Sequence, residues 1–380
     1  MMIYLDHNAT TPVHPDVVEA LLPFLQEKFG NPSSIHWGGR AVKGAVENAR
    51  EQVAELVGCE PGEVVFTSSG TEADNMAIKG VAAALGGRGN HIVTTQVEHP
   101  GVANPCLYLE NLGFEVTRLP VDTDGLLDVE RLEAAITDRT ILISAMAANN
   151  ETGVLMPVRE IGEIALRRRV YFHCDGVQAA GKIPLSVRDG GISLLALSAH
   201  KLYAPKGAGA LVVKRGVKCH PLIHGGSQER NRRGGTENVA GIVAFGKACA
   251  ISRETMAGEA LRLKGLRDRL EEGILALVSG ARVNGHRELR LPTTSNITIA
   301  GVEADSLLMA LDLEGVAASS GSACSSGTLK VSPVLAAMGR TGEEAKGSVR
   351  FSLGRGNTDA EIDRVLAVLP AIVARLRGES

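Results

Sequence analysis

Between residues 63 and 197, short β-branched runs alternate with stretches in which apolar residues recur every three or four positions. That alternation restricts the chain to an α/β design, a mostly parallel mixed sheet covered by helices on both faces. Residues 63–67, 91–95, 114–117, 141–146, 170–174 and 194–197 read as the strands. Val42, Val46, Ala49, Val53 and Leu56 make one helical stripe, which Gly58 is placed to end as a left-handed residue. Leu107, Leu109 and Leu112, followed by Gly113, mark another helix end. In a sheet of this kind ligands sit beyond the carboxyl ends of the strands.

After residue 255 the pattern changes. A charged helical stretch (256–278) leads to the strand-like SNITIA, a helix near 305–313, a Gly/Ser-rich segment, the strand-like VRFSL and a closing helix over 360–376. This predicts a smaller α+β domain. At 380 residues the chain is long for one core, so a large domain over 13–255 is expected beside a small one built from 1–12 and 256–380. A net charge of −3 gives no reason to expect nucleic acid or an anionic membrane as partner. No apolar run approaches the ~20 residues of a membrane span. The start of the chain lacks the pattern of a secretory signal, so a cytoplasmic protein is expected. Cys59, Cys106, Cys174, Cys219, Cys249 and Cys324 are dispersed without a CxxC pair, which argues for reduced thiols and against a zinc or other metal site.

Five segments carry chemistry, each just past a predicted strand. Lys201, in SAHK, follows the run ending at Leu197; a lysine enclosed there loses hydration and suits Schiff-base chemistry. Ser198 and His200 flank it as phosphate donors, although SAHK taken alone is better explained by a solvated surface lysine. TSSGTEADN (67–75) opens an apolar-periodic stretch with small residues and hydroxyls, a phosphate cradle by its donors. The same residues read as a helix cap from Thr71 to Asp74. Asp175 ends HCD, where a carboxylate can keep a pyridine nitrogen protonated or simply cap a helix; Gln178 lies three residues on. Asn149 and Asn150 follow ILISAMAA as donors or turn formers. His99, in VEHP, is a proton shuttle or a structural histidine.

The joint order of these segments is informative. TSSGTEADN, VEHP, ANNETG, HCDGVQAAGK, SAHKLYAPKG, GGTEN, SSGSACSSG and VRFSLGR together resemble the NifS/IscS-type cysteine desulfurases, closer to the NifS branch, along essentially the whole chain. The resemblance implies the fold of fold-type-I transferases that use pyridoxal 5'-phosphate, working as a homodimer. It assigns the covalent cofactor bond to Lys201, the pyridine nitrogen to Asp175, the phenolic oxygen to Gln178, and ring stacking with proton movement to His99. Gly70, Thr71, Ser198 and His200 are expected on the phosphate, with Thr236 supplied by the second subunit. Asn150 and Arg350 are expected on the carboxylate of L-cysteine. A sulfur acceptor or iron–sulfur scaffold protein is the expected partner. The chain ends at Gly378-Glu379-Ser380, without the longer tail that many members use in scaffold docking.

Residues 319–327, SSGSACSSG, are small and polar around one thiol, a composition expected of a mobile loop. With the resemblance, Cys324 is expected to attack the sulfur of the bound cysteine, leave alanine, and carry a persulfide outward. No basic residue adjoins Cys324, so the assembled site must activate it, through His99 or the substrate amine. An aminotransferase or a selenocysteine lyase on the same fold is the first rival, and a non-catalytic sulfur-assembly platform the second.

Overall fold

The structure, a computed structural model, describes residues 2–320 and 331–379. Its main sheet has seven strands in the order Val64–Thr67, Gly209–Val213, Leu194–Ser198, Tyr171–Asp175, Thr140–Met146, His91–Thr95 and Glu115–Leu119. The last five run parallel, whereas Gly209–Val213 is antiparallel to both of its neighbours. Each strand that the alternation predicts is present, with ends shifted by one or two residues. Their apolar residues are buried on both faces, as a sheet covered on two sides requires. Register places Met146 beside Asp175 and Asp175 beside Ala196, so the chemically loaded segments emerge along one edge.

The covering helices follow their stripes. Trp37–Val57 buries Val42, Val46, Ala49 and Val53 and ends at Gly58, whose φ of 64° lies in the left-handed region that favours glycine. The TSSGTEADN reading needs a correction: the helix starts at Gly70, and its cap is Ser69, whose Oγ accepts from Glu72 N at 3.1 Å, not Thr71. Asp175 caps no helix; its Oδ1 accepts from Val177 N at 2.9 Å within a turn. The charged stretch at 256–278 proves to be the second half of a 39-residue helix, Val239–Leu277. Its first half packs on Trp37–Val57 and its second half on the closing helix, Asp359–Arg377.

That second half joins a separate apolar cluster with Ile3, Leu5, Leu307, Val349, Phe351 and Leu369. A three-stranded antiparallel sheet of Ser348–Ser352, Thr294–Ile299 and Ala281–Asn284 lies there. Ile3–Tyr4 pairs with Val316–Ala317, and Asp6 bridges Ser352. The first residues are thereby held against the later part of the chain while residues 8–11 cross to the main-sheet edge, where Thr11 N donates to His200 O. No helix among the described residues is long and apolar enough to cross a membrane.

Candidate active site

A cavity of about 260 Å³ opens at the carboxyl edge of the main sheet. Its lining includes Gly70, Thr71, His99, Asn150, Asp175, Gln178, Ser198, His200 and Lys201. Nine residues separated by up to 131 positions are thus brought together where the strand ends meet the first turns of Gly70–Leu85 and Pro100–Glu110. Thr236 is exposed on the loop before Val239–Leu277 and lies outside this lining. That loop is tied to the cavity's helix by Arg233, whose Nε donates to Glu72 Oε1 at 2.9 Å. Arg350 is buried beside the cavity rather than in its lining. Its guanidinium donates to Asn150 O at 2.8 Å and to Asp6 Oδ1 at 2.7 Å, and its Nε is buried without a partner among the described residues. Cys324 lies outside the described residues.

One end of the cavity is built for an anion. Gly70 and Thr71 stand in the first turn of the 16-residue helix Gly70–Leu85, where backbone N–H groups have no intrahelical acceptor. Gly70 is needed there, because a Cβ would sit 2.7 Å from Val177 Cγ2 and 3.3 Å from Ser198 Cβ. Burial, then the charges of Lys201, Lys206 and Lys182, push the His200 imidazole down to about 4, so it is neutral at physiological pH.

The other end is built for a cation. Asp175, Asp74 and Glu98 are all buried. Burial, then its neighbours Asp175 and Glu98, hold Asp74 well above the usual carboxylate range. Burial raises Glu98 to about 8, with Asp175 adding to the push. Asp175 is also raised by burial, against the pull of His99 and Lys201. Asp74 Oδ1 and Glu98 Oε2 have no hydrogen-bond partner among the described residues. Asp74 Oδ1 lies 3.4 Å from His173 Nε2, and His173 Nδ1 lies 2.9 Å from Ser144 Oγ. His99 Nδ1 accepts from Gly101 N at 3.0 Å as the cap of Pro100–Glu110, which directs its Nε2–H elsewhere in the neutral ring. One ligand atom each from Asp74, His99 and Asp175 falls within 4.8 Å of the others.

Lys201 Nζ donates to the backbone oxygens of Asn8 and Ala9. Asn8, Glu98, His173 and Lys182 do not figure among the residues singled out by their sequence context, and Asp74 does so only as part of a helix cap. They sit inside the same motifs, LDHNATT, TEADN, VEHP, HCD and AAGK, and that clustering is the only sequence signal for them.

A phosphate-ready helix end, a lysine, and a buried carboxylate floor wanting a protonated nitrogen fit pyridoxal phosphate. Fold and pocket define a fold-type-I enzyme that uses this cofactor. The chain matches the aminotransferase class-V family over residues 3–365, and it belongs to that family. It is 51% identical over 375 residues, 99% of this chain and 95% of the relative, to the cysteine desulfurase IscS of Dictyoglomus turgidum. Among solved structures, a NifS-like protein superposes with a TM-score of 0.93 at 37% identity, covering 99% of this chain and all of that one. SspA, solved in complex with cysteine, gives 0.82 at 34% identity over 92% of this chain and 98% of its own.

Proposed function

We propose that this chain is a cysteine desulfurase in which Lys201, His99 and Cys324 carry the chemistry, converting L-cysteine to L-alanine and holding the sulfur as a persulfide on Cys324. The supporting observation is the cavity in which Lys201, His99 and Gln178 converge over a buried carboxylate floor. Relatives named as cysteine desulfurases over the whole length support the substrate.

Lys201 would hold pyridoxal phosphate covalently. Asp175 would hold its ring nitrogen, Gln178 its ring oxygen, and Gly70, Thr71, Ser198 and His200 its phosphate, joined by Thr236 from a second subunit. When bound, the cofactor supplies an electron sink for the charge left at the substrate's α-carbon. Asp175, buried at the cavity, would hold a proton on the ring nitrogen. Lys201 would take the α-proton, its Nζ steadied by the backbone oxygens of Asn8 and Ala9. Arg350 and Asn150 orient the substrate carboxylate, Arg350 by its fork of donors. His99, with Nδ1 engaged by Gly101 N, presents Nε2 for moving a proton to or from the thiol. Cys324 attacks as the thiolate: the Cβ–S bond breaks with its electron pair left on carbon, which takes up a proton, and the S–S bond forms.

The working assembly in this reading is a homodimer. Phe29, Ile35 and Trp37 are 83%, 91% and 77% exposed within ten residues of one another, a cost in water that a second copy of the chain removes. Residues 13–255 form the cofactor-binding domain, and 1–12 with 256–380 the domain that carries Cys324. The persulfide passes to an acceptor protein for iron–sulfur cluster assembly, in the cytoplasm.

The experiment is incubation of the loaded protein with L-cysteine and a reductant, measuring sulfide and alanine beside Cys324→Ala. Equal sulfide and alanine from the wild type, and neither from the variant, is the expected result. Undiminished turnover by the variant removes Cys324 from the mechanism and favours another reaction on the same fold.

A further inference from the structure

Beside Lys201 a second lysine enters the same network, through Asn8. Lys182 Nζ donates to Gln178 Oε1 at 2.9 Å and to Asn8 Oδ1 at 3.1 Å. Asn8 is buried, and its backbone oxygen accepts from both Lys201 Nζ and Gln178 Nε2, the latter at 3.0 Å. Its Nδ2 donates to Thr294 Oγ1 at 2.9 Å and to Asn150 O at 3.3 Å. A carboxamide offers one accepting and one donating end, and a half-turn of the amide exchanges them. An ammonium only donates, so both amides must turn their oxygens toward Lys182 and their NH₂ groups away from it.

We propose that Lys182 is a positioning residue for the cofactor site: it locks the Gln178 amide with its N–H groups toward Asn8 and the cavity, and it locks Asn8 as the rest for Lys201. The assignment rests on the pyridoxal-phosphate reading of the cavity. Gln178 has two N–H groups, and Asn8 O takes one. The second remains for the ring oxygen of the cofactor. Without Lys182, Gln178 Oε1 and Asn8 Oδ1 lose a buried donor, and the flipped amides, which turn oxygen toward an anionic ring oxygen, become competitive. No described carboxylate pairs with Lys182; burial, Lys201 and Arg350 push it down to about 7. The ammonium, which only donates, enforces the lock fully; the neutral amine keeps two N–H groups for the two amide oxygens but holds them less strictly, because its lone pair also accepts.

The test compares cofactor affinity and the absorption band of the lysine-bound cofactor in wild type, Lys182→Met, Lys182→Arg, Gln178→Leu and the Lys182→Met/Gln178→Leu double variant. Lys182→Met is expected to weaken pyridoxal-phosphate binding about tenfold, the scale of one lost buried hydrogen bond, and to shift the band. Lys182→Arg, a donor-only side chain, is expected to restore most of both. In the Gln178→Leu background the Lys182→Met effect should shrink to the part that passes through Asn8, as for residues acting through one another. Full additivity of the two changes, or wild-type affinity and spectrum in Lys182→Met, overturns the proposal. Should Lys182→Met fail to fold, Gln178→Glu decides: its side chain keeps the Lys182 bond without any N–H, and unaltered binding there overturns the assignment. A wild type that takes up no pyridoxal phosphate would instead refute the reading of the cavity itself.

Discussion

Two of the regions that bury carboxylates treat them in opposite ways. In the small apolar cluster, Glu271 receives Arg290 through two bonds of 2.7 and 2.8 Å and Ser295 Oγ at 2.6 Å, with Arg267 and Arg287 near by. Burial would raise it, but these donors and charges hold it below the usual carboxylate range. At the cavity, Asp74 and Asp175 in its lining and Glu98 beside them have no arginine partner among the described residues and lie above that range, with Asp175 raising the other two. A charge that is paired inside the fold serves the fold; one left unpaired is prepared for something that arrives later. Opposite responses to mutation and pH follow.

The largest effect is expected from Arg290→Met, which strands Glu271 in the core. Such a buried pair broken on one side costs about 3–5 kcal/mol, read as a lower urea midpoint. Turnover per folded molecule should stay within about twofold, since Glu271 lies outside the cavity. Asp175→Asn should do the reverse. It is expected to lower sulfide production about a hundredfold or more, by removing the group that holds a proton on the cofactor. The thermal midpoint of the cofactor-free protein should hold or rise, because one repelling carboxylate has gone. A collapse of that midpoint would place Asp175 among structural groups.

The pH response separates the regions more finely. Glu98 is raised to about 8 in the fold, so its contribution to stability is complete below its unfolded value and is lost as pH climbs toward 8. Glu271 is lowered, so its contribution is present above the unfolded value and is lost as pH falls through the folded one. Glu98 therefore contributes a fall in stability of the cofactor-free protein from pH 5 to 8, opposed by buried histidines such as His200, and Glu98→Gln should remove that contribution from the measured slope. A slope identical to wild type would mean that Glu98 does not titrate in this window. The smallest change is expected from Arg159→Ala, which breaks an exposed pair with Glu163 at 3.1 Å and should leave both midpoint and turnover unaltered.

Much of this arrangement was legible in the residue order. Strand runs such as ILISAM have a period that survives any tertiary context, and Gly70, Thr71, His99, Asn150, Asp175, Gln178, Ser198 and Lys201, read as following such runs, line the cavity, whereas Asn149 does not. Gly58 announced a helix end because few other residues accept its dihedral. Helix starts were less legible: Ser69 and Thr71 are equally good caps, and only the backbone chose between them. The 39-residue helix was half missed because it changes its buried face, from the large cluster to the small one, along its length. Asn8 and Lys182 went unassigned because their roles depend on contacts across 174 positions, for which no local pattern exists.

By itself, then, the sequence determined the strand–helix alternation, the family, the cofactor, and which residue types stand at the strand ends. The alternation and the residue types follow from periodicity and side-chain chemistry, which are local; the family and the cofactor follow from the resemblance carried by the ordered motifs. Tertiary structure alone decided which carboxylates are paired and which are left waiting, that Arg350 leans on Asp6 and Asn150, and that two lysines share one asparagine. Charge pairing and amide orientation depend on distances of about 3 Å between segments remote in the chain, and only the packed fold sets those distances.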